Sequence, residues 1–182
     1  MLPEPTERAD YSTITEITKE RLRRAGKKIK DERPLFSGDL GFRVFKLDSS
    51  NIRAWEPDRE NLPKSLLEAM ENLKSDRGEQ DILFELLLKL GLELTVLIEE
   101  KSIASKSVYS IGSGSLLVCL AEAISAKEVD PLALGIIDWL KELVPVGEVT
   151  CVFRDSAFVD DVVKTNLTTI LEQSGLKNVR SL

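Results

Sequence analysis

The sequence predicts a mixed α/β fold, α+β in kind: a small mixed sheet with helices packed on it. Three observations predict it. Residues 92–123 hold three short apolar runs, LELTVLIEE, SVYSIG and SLLVCLAEA, parted by polar residues and glycines as successive strands are. Residues 79–91, 130–145 and 159–175 carry apolar side chains at helical spacing. Between the last two lies EVTCVFRD, a strand set between helices, so the order beyond residue 78 is α-β-β-β-α-β-α.

The first element is a helix in STITEITKERLRRAGKKIKDERP, residues 12–34. Thr13 and Glu16 have capping-box spacing, and Ile14, Ile17, Leu22, Ala25 and Ile29 recur as one stripe that should be buried. Lysines fill its last turns, where the helix dipole favours positive charge, and Pro34 stops it. FRVFKLD, residues 42–48, reads as a strand; a connection anchored by Trp55 follows, then a helix over 64–74. KSDRGEQ is a polar break and marks the expected domain boundary: a first part at 1–56, a connection at 57–77, and an α/β domain at 78–182. In that domain Gly91 should close the first helix as a C-cap residue. The next helix should start with Asp130 as N-cap and Pro131 as its first residue. LKNVRSL, after the last helix, reads as a short tail.

Composition narrows the chemistry. With 42% hydrophobic and 31% charged residues over 182 positions, the chain can bury a sizeable core, and no uncharged apolar run approaches a membrane span of roughly 18 residues. MLPEPTERAD has neither a basic n-region nor an apolar h-region, so a signal peptide is not expected. Cys119 and Cys151 lie in apolar runs and read as reduced core residues, which fits a cytoplasmic location. The chain has no histidine, which removes Ser-His-Asp and Cys-His catalysis and histidine metal sites. Charge is unevenly placed: Lys19 to Arg33 holds eight basic residues against three acidic ones, a net of +5 on a chain of net −6. Such a helix can touch phosphate or be solvated and paired with nearby acids.

Three constellations invite a functional reading. FSGDLG, with Phe36, Gly38 and Gly41, is close to the F-x-G-x-G loop that binds S-adenosylmethionine. That loop needs a strand before it and a helix after it, and here the order is reversed, so the match fails. Gly112 and Gly114 in SIGSGSLL suggest a phosphate cradle, yet they join two strands and read as a hairpin turn. CVFRDSAFVDDVVKTN gathers Asp155, Asp160, Asp161 and Lys164 where a strand hands over to a helix. These carboxylates are the candidate metal ligands; the structural alternative makes Asp160 and Asp161 first-turn helix charges and Asp155 an Asx-turn residue.

LPEP, ITEITKERLRRAGKKIK and DLGFRVFKLDSSNIRAW together resemble the tail of the methyltransferase domain in type III restriction–modification systems. FRDSAFVDDVVKTNLTTILEQSGLKNVRSL resembles the closing segment of the same Mod (modification) subunits. The resemblance runs along almost the whole chain and is most specific at Gly41–Trp55 and Phe153–Leu182. Family members are adenine-N6 DNA methyltransferases that use S-adenosylmethionine and carry a D-P-P-Y-type motif ahead of the F-x-G-x-G loop. No two prolines adjoin here, so D-P-P-Y is missing. The resemblance therefore implies the C-terminal part of a Mod subunit. Residues 1–56 would be the remnant of a Rossmann-like methyltransferase domain, and 78–182 the subunit's C-terminal domain.

Its further implications are expectations. In Rossmann-like methyltransferases the acid ending the second strand bonds the cofactor's ribose hydroxyls, and Glu4 in LPEP occupies the matching place. The alternative for Glu4 is a terminal residue with no strand to hold it. The chain alone should bind no S-adenosylmethionine and transfer no methyl group. The implied partners are the rest of the Mod subunit, a second copy in a homodimer, the Res (restriction) subunit, and DNA in the full complex; no membrane is expected. Two readings of other classes stay open: a metal-dependent nuclease-like module on Asp155, Asp160, Asp161 and Lys164, and a free-standing interaction domain.

Overall fold

A computed structural model of the chain describes residue 5 and residues 10–53, 60–61 and 73–182. The chain divides into two compact units, Met1–Leu47 and Asp48–Leu182. Glu4, Trp55 and all but the last two residues of the expected 64–74 helix lie outside the described residues.

In the first unit, helix α1 spans Ile14–Glu32. Its start is as expected: Thr13 Oγ1 accepts a hydrogen bond from Glu16 N at 3.3 Å. The expected buried stripe is corrected. No residue of α1 is buried, and Ile14 and Leu22 remain 49% and 48% exposed. The expected strand at 42–48 is corrected as well. This stretch is irregular, because a strand needs a ladder partner and none of the described strands pairs with it. Phe42, Val44, Phe45 and Leu47 stay exposed along it.

The second unit is built on a five-stranded sheet. Helix α2 spans Glu79–Lys89, followed by β1 (Ile98–Ile103), β2 (Lys106–Ile111) and β3 (Leu116–Cys119). Helix α3 (Ala126–Leu143), β4 (Thr150–Phe153), a 3₁₀ turn at Asp155–Ala157, α4 (Asp161–Gln173) and β5 (Asn178–Ser181) complete it. The sheet order is β1-β2-β3-β4-β5. The first two pairings are antiparallel hairpins and the last two parallel crossovers. LKNVRSL is thus not a tail: Asn178–Ser181 pairs with Thr150–Phe153 as a parallel edge strand.

Both crossovers step in one direction, so the right-handed rule puts α3 and α4 on the same face. Leu132, Ala133 and Ile136 of α3 and Leu167 and Leu171 of α4 pack there on Leu117, Cys119, Cys151 and Phe153. The opposite face belongs to α2, whose Ile82, Leu83, Leu86 and Leu87 cover Leu116, Val118 and Val152. All four residues of β3 are therefore buried, which is why LLVC is a continuous apolar run rather than an alternation. At Gly135, α3 comes so close to β1 that an added Cβ would stand 2.2 Å from Ile103 Cγ2.

Local chemistry sets the boundaries. Leu92 N donates to Leu87 O (2.9 Å) and Gly91 N to Leu88 O (3.1 Å), a Schellman closure of α2 around Gly91 at φ +71°. α4 ends the same way: Leu176 N donates to Leu171 O and Gly175 N to Glu172 O. The expected start of α3 at Asp130 is corrected, since Ser125 caps it five residues earlier. Ser125 N and Oγ both donate to Glu128 Oε2, at 2.8 and 2.7 Å. Pro131 falls inside the helix and deprives the Lys127 carbonyl of its donor; Lys127 is exposed, so water can serve that oxygen. Gly112 and Gly114 lie in the β2–β3 hairpin, both at positive φ.

Candidate functional site

The acids of CVFRDSAFVDDVVKTN gather at the carboxyl end of β4, where open α/β sheets present their ligand-binding loops. The chain leaves β4, makes one 3₁₀ turn and enters α4. Ile124 N donates to Ala157 O at 2.7 Å, and the rings of Phe153 and Phe158 meet edge to face with centroids 6.1 Å apart. These contacts fix the turn and so fix the direction of each acid.

Asp155 does not face Asp160. Its Oδ1 accepts from Lys164 Nζ, one turn into α4, and that ammonium also donates to Ser181 Oγ of β5 at 3.1 Å. The Lys164 hydrogen bond, opposed by partial burial and helped by Ser181, holds the Asp155 carboxyl below its ordinary value. Asp160 turns to its own helix: Oδ1 accepts from Val163 N at 2.8 Å, an N-cap. Asp161 is the first helical residue and is exposed. The structure thus brings Asp155 to Lys164 and leaves Asp160 and Asp161 serving the helix end. Among the described residues no three His, Cys, Asp or Glu side chains converge as a metal site would require. The Asp155–Lys164–Ser181 contact ties the ends of β4, α4 and β5 together; partly exposed, the ion pair contributes up to about 1 kcal/mol.

The other candidates fall as follows. The Phe36–Gly41 loop folds on itself: the ring of Phe36 lies against Gly38, and Gly41 N donates to Asp39 Oδ1 at 2.7 Å. Cys119 and Cys151 are both buried and free. Burial pushes both thiols up, Cys151 to about 12 with the neighbouring Cys119 adding to it, so neither supplies a thiolate near neutrality. A groove of ≈ 450 Å³, lined by Ile137, Leu140, Pro145, Val149 and Leu176, opens at the amino ends of β4 and β5. Lys141, Glu148 and Lys177 also border it, but it lies at the opposite end of β4 from Asp155, so this groove and the acids of the β4–α4 turn do not coincide.

One polar centre escaped the sequence reading. Glu85, on α2, accepts from Ser50 Oγ (2.5 Å), Asn51 N (2.6 Å) and Lys89 Nζ (3.0 Å). Asn51 Nδ2 donates to Asp81 O at 2.8 Å, and Lys74 N to Asn51 O at 2.9 Å. Burial would raise the Glu85 carboxyl, but the hydrogen bonds from Ser50, Asn51 and Lys89 outweigh it and hold the group at about 2. This centre clamps the segment 48–53 onto α2. A polar SSN tripeptide far from a helical glutamate gives no spacing signal from which to find it.

No helix among the described residues is long and apolar enough to cross a membrane. No protein-family model and no curated protein matches the chain.

Proposed function

We propose that this chain is the C-terminal part of a type III modification subunit, an adenine-N6 DNA methyltransferase, with an assembly role and no methyl transfer of its own. The observation that carries this is the resemblance at Gly41–Trp55 and Phe153–Leu182. The second stretch runs from the end of β4 through α4 to β5, so the resembling residues form one contiguous structural block. Within it Asp160 caps α4 and Asp155 ties the strand ends through Lys164, as an architectural domain would use them. In the parent enzyme S-adenosylmethionine supplies the methyl group, and Glu4 would be the remnant of the ribose contact. The chain's partners are the rest of the Mod subunit, a second copy, the Res subunit and DNA.

The test is reconstitution. The purified chain is mixed with a separately made Mod methyltransferase portion carrying D-P-P-Y and F-x-G-x-G, with duplex DNA and tritiated cofactor. Co-elution of the two proteins, with label transferred by the mixture and not by the chain alone, is expected. Transfer by the chain alone, or failure of the two proteins to associate, would overturn the proposal. An upstream reading frame with D-P-P-Y and a helicase-like gene downstream would agree with it.

A further inference from the structure

We infer that α1 is a contact surface for the phosphate backbone of duplex DNA, through a stripe made by Lys19, Arg23, Lys27 and Lys30. Spacings of four, four and three residues put these side chains on one helical face. At 1.5 Å per residue the stripe is about 16 Å long, the axial rise of four or five phosphates along one strand. Ile14, Ile17, Leu22, Ala25 and Ile29 lie on the opposite face, so the cations are not there to screen an apolar seam.

Ion pairing within the helix engages Lys19 and leaves Arg23, Lys27 and Lys30 as the open part of the stripe. Glu16 takes Lys19 (2.7 Å), Glu20 takes Arg24 (2.8 Å), and Glu32 takes Lys28 (3.6 Å). Arg23 reaches Glu20 only at 3.8 Å and stays 60% exposed. Among the described residues no carboxylate stands within 4.0 Å of Lys27 or Lys30, and both are exposed. A merely solvated helix needs no such imbalance, yet this segment carries +5 on a chain of −6. An anionic membrane fits less well, because α1 has no Trp or Phe to anchor an interfacial helix. The choice of DNA rests on the function proposed above; the charge pattern alone addresses a duplex phosphate backbone.

The test is fluorescence anisotropy of the whole chain with labelled duplexes of two unrelated sequences, over a salt series. Lys27→Ala/Lys30→Ala is compared with Arg21→Ala/Lys28→Ala, which removes the same charge from the other side of the helix. Equal affinity for both sequences is expected, since phosphate contacts carry no sequence information. With a salt exponent of about 0.9 per phosphate, losing two contacts should make the log–log slope shallower by about 1.8 and weaken binding roughly 60-fold at 0.1 M salt. The off-stripe variant should keep the parent slope. No binding at low salt, equal losses in both variants, or binding to anionic vesicles that DNA does not displace would overturn the inference. If these losses appear but reconstitution fails, the stripe stands and the proposed function falls. The reverse pattern sinks the stripe alone.

Discussion

Replacing Gly135 with alanine should change sign according to what stands at position 103. A Cβ at 135 would lie 2.2 Å from Ile103 Cγ2, against the 3.5–4.0 Å at which carbon atoms rest, so about 1.5 Å must be opened between α3 and β1. Overpacking of this kind costs about 1–3 kcal/mol. Alanine returns about 1 kcal/mol of helix propensity, so Gly135→Ala alone should destabilise by about 1 kcal/mol. Ile103→Ala removes Cγ2 at its own cost of about 2–5 kcal/mol. In that background Gly135→Ala should stabilise by up to about 1 kcal/mol. Ile103→Val keeps the methyl and should keep the penalty. Urea unfolding of the four proteins of the cycle, with a check that the m-value is constant, measures the coupling. Additive effects, or stabilisation by Gly135→Ala in the parent, would refute the close approach of α3 to β1.

Three further outcomes are expected. Glu85 is held at about 2 against an ordinary 4.5, so its stabilisation is full above pH 4.5 and is lost as pH falls through 2. Glu85→Gln should lower stability near neutrality by at most about 3 kcal/mol and flatten the acid limb of urea-measured stability; an unchanged limb counts against the clamp. Asp160→Asn and Asp161→Asn should each cost about 0.3–1 kcal/mol in thermal or urea unfolding, and Mg²⁺ should leave the melting temperature in place. A Mg²⁺-induced rise that either substitution abolishes would restore the nuclease reading. The β1–β2 hairpin turns on Ala104 and Ser105 at φ 50° and 62°, a strain of about 1–2 kcal/mol for each non-glycine residue. Ser105→Gly should raise unfolding stability by about 0.5–1 kcal/mol, and a loss would show the turn to be relaxed.

What the sequence revealed follows from which forces are local. The α2 face of Ile82, Leu83, Leu86 and Leu87 and the run LLVC were legible because burial on one face or two writes itself into periodicity; Leu90, expected on that face from its spacing, is instead 46% exposed at the helix end. The Gly91 closure was legible because the left-handed position at C′ favours glycine. Pro131 misled the start of α3: the spacing Ser125–Glu128 was present, but a proline inside a helix is rarer than one at its start. NVRS becomes β5 only because β4 offers it an edge, and FRVFKLD finds no such edge; no pattern inside either segment distinguishes them. At the candidate site the acids were visible, but their directions were not. Lys164 and the Val163 amide decide those directions, and both depend on how α4 is set against β4 and β5.

The pairing order of the sheet has a consequence for how the chain becomes structured during synthesis. The hairpins β1–β2 and β2–β3 close over Ala104–Ser105 and over residues 112–115, so the three strands can pair almost as they emerge. Joining β4 to β3 must wait for everything between Cys119 and Thr150, including a complete α3. That is about three doublings of loop length, worth roughly 2 kcal/mol more closure entropy than the second hairpin. The nascent meander therefore carries β3, apolar on both faces, as an open edge until the first crossover is finished. In that interval α2, already made, is the only one of the described helices packed on the sheet that can shield one of those faces, and the other stays exposed to whatever the ribosome's surroundings provide.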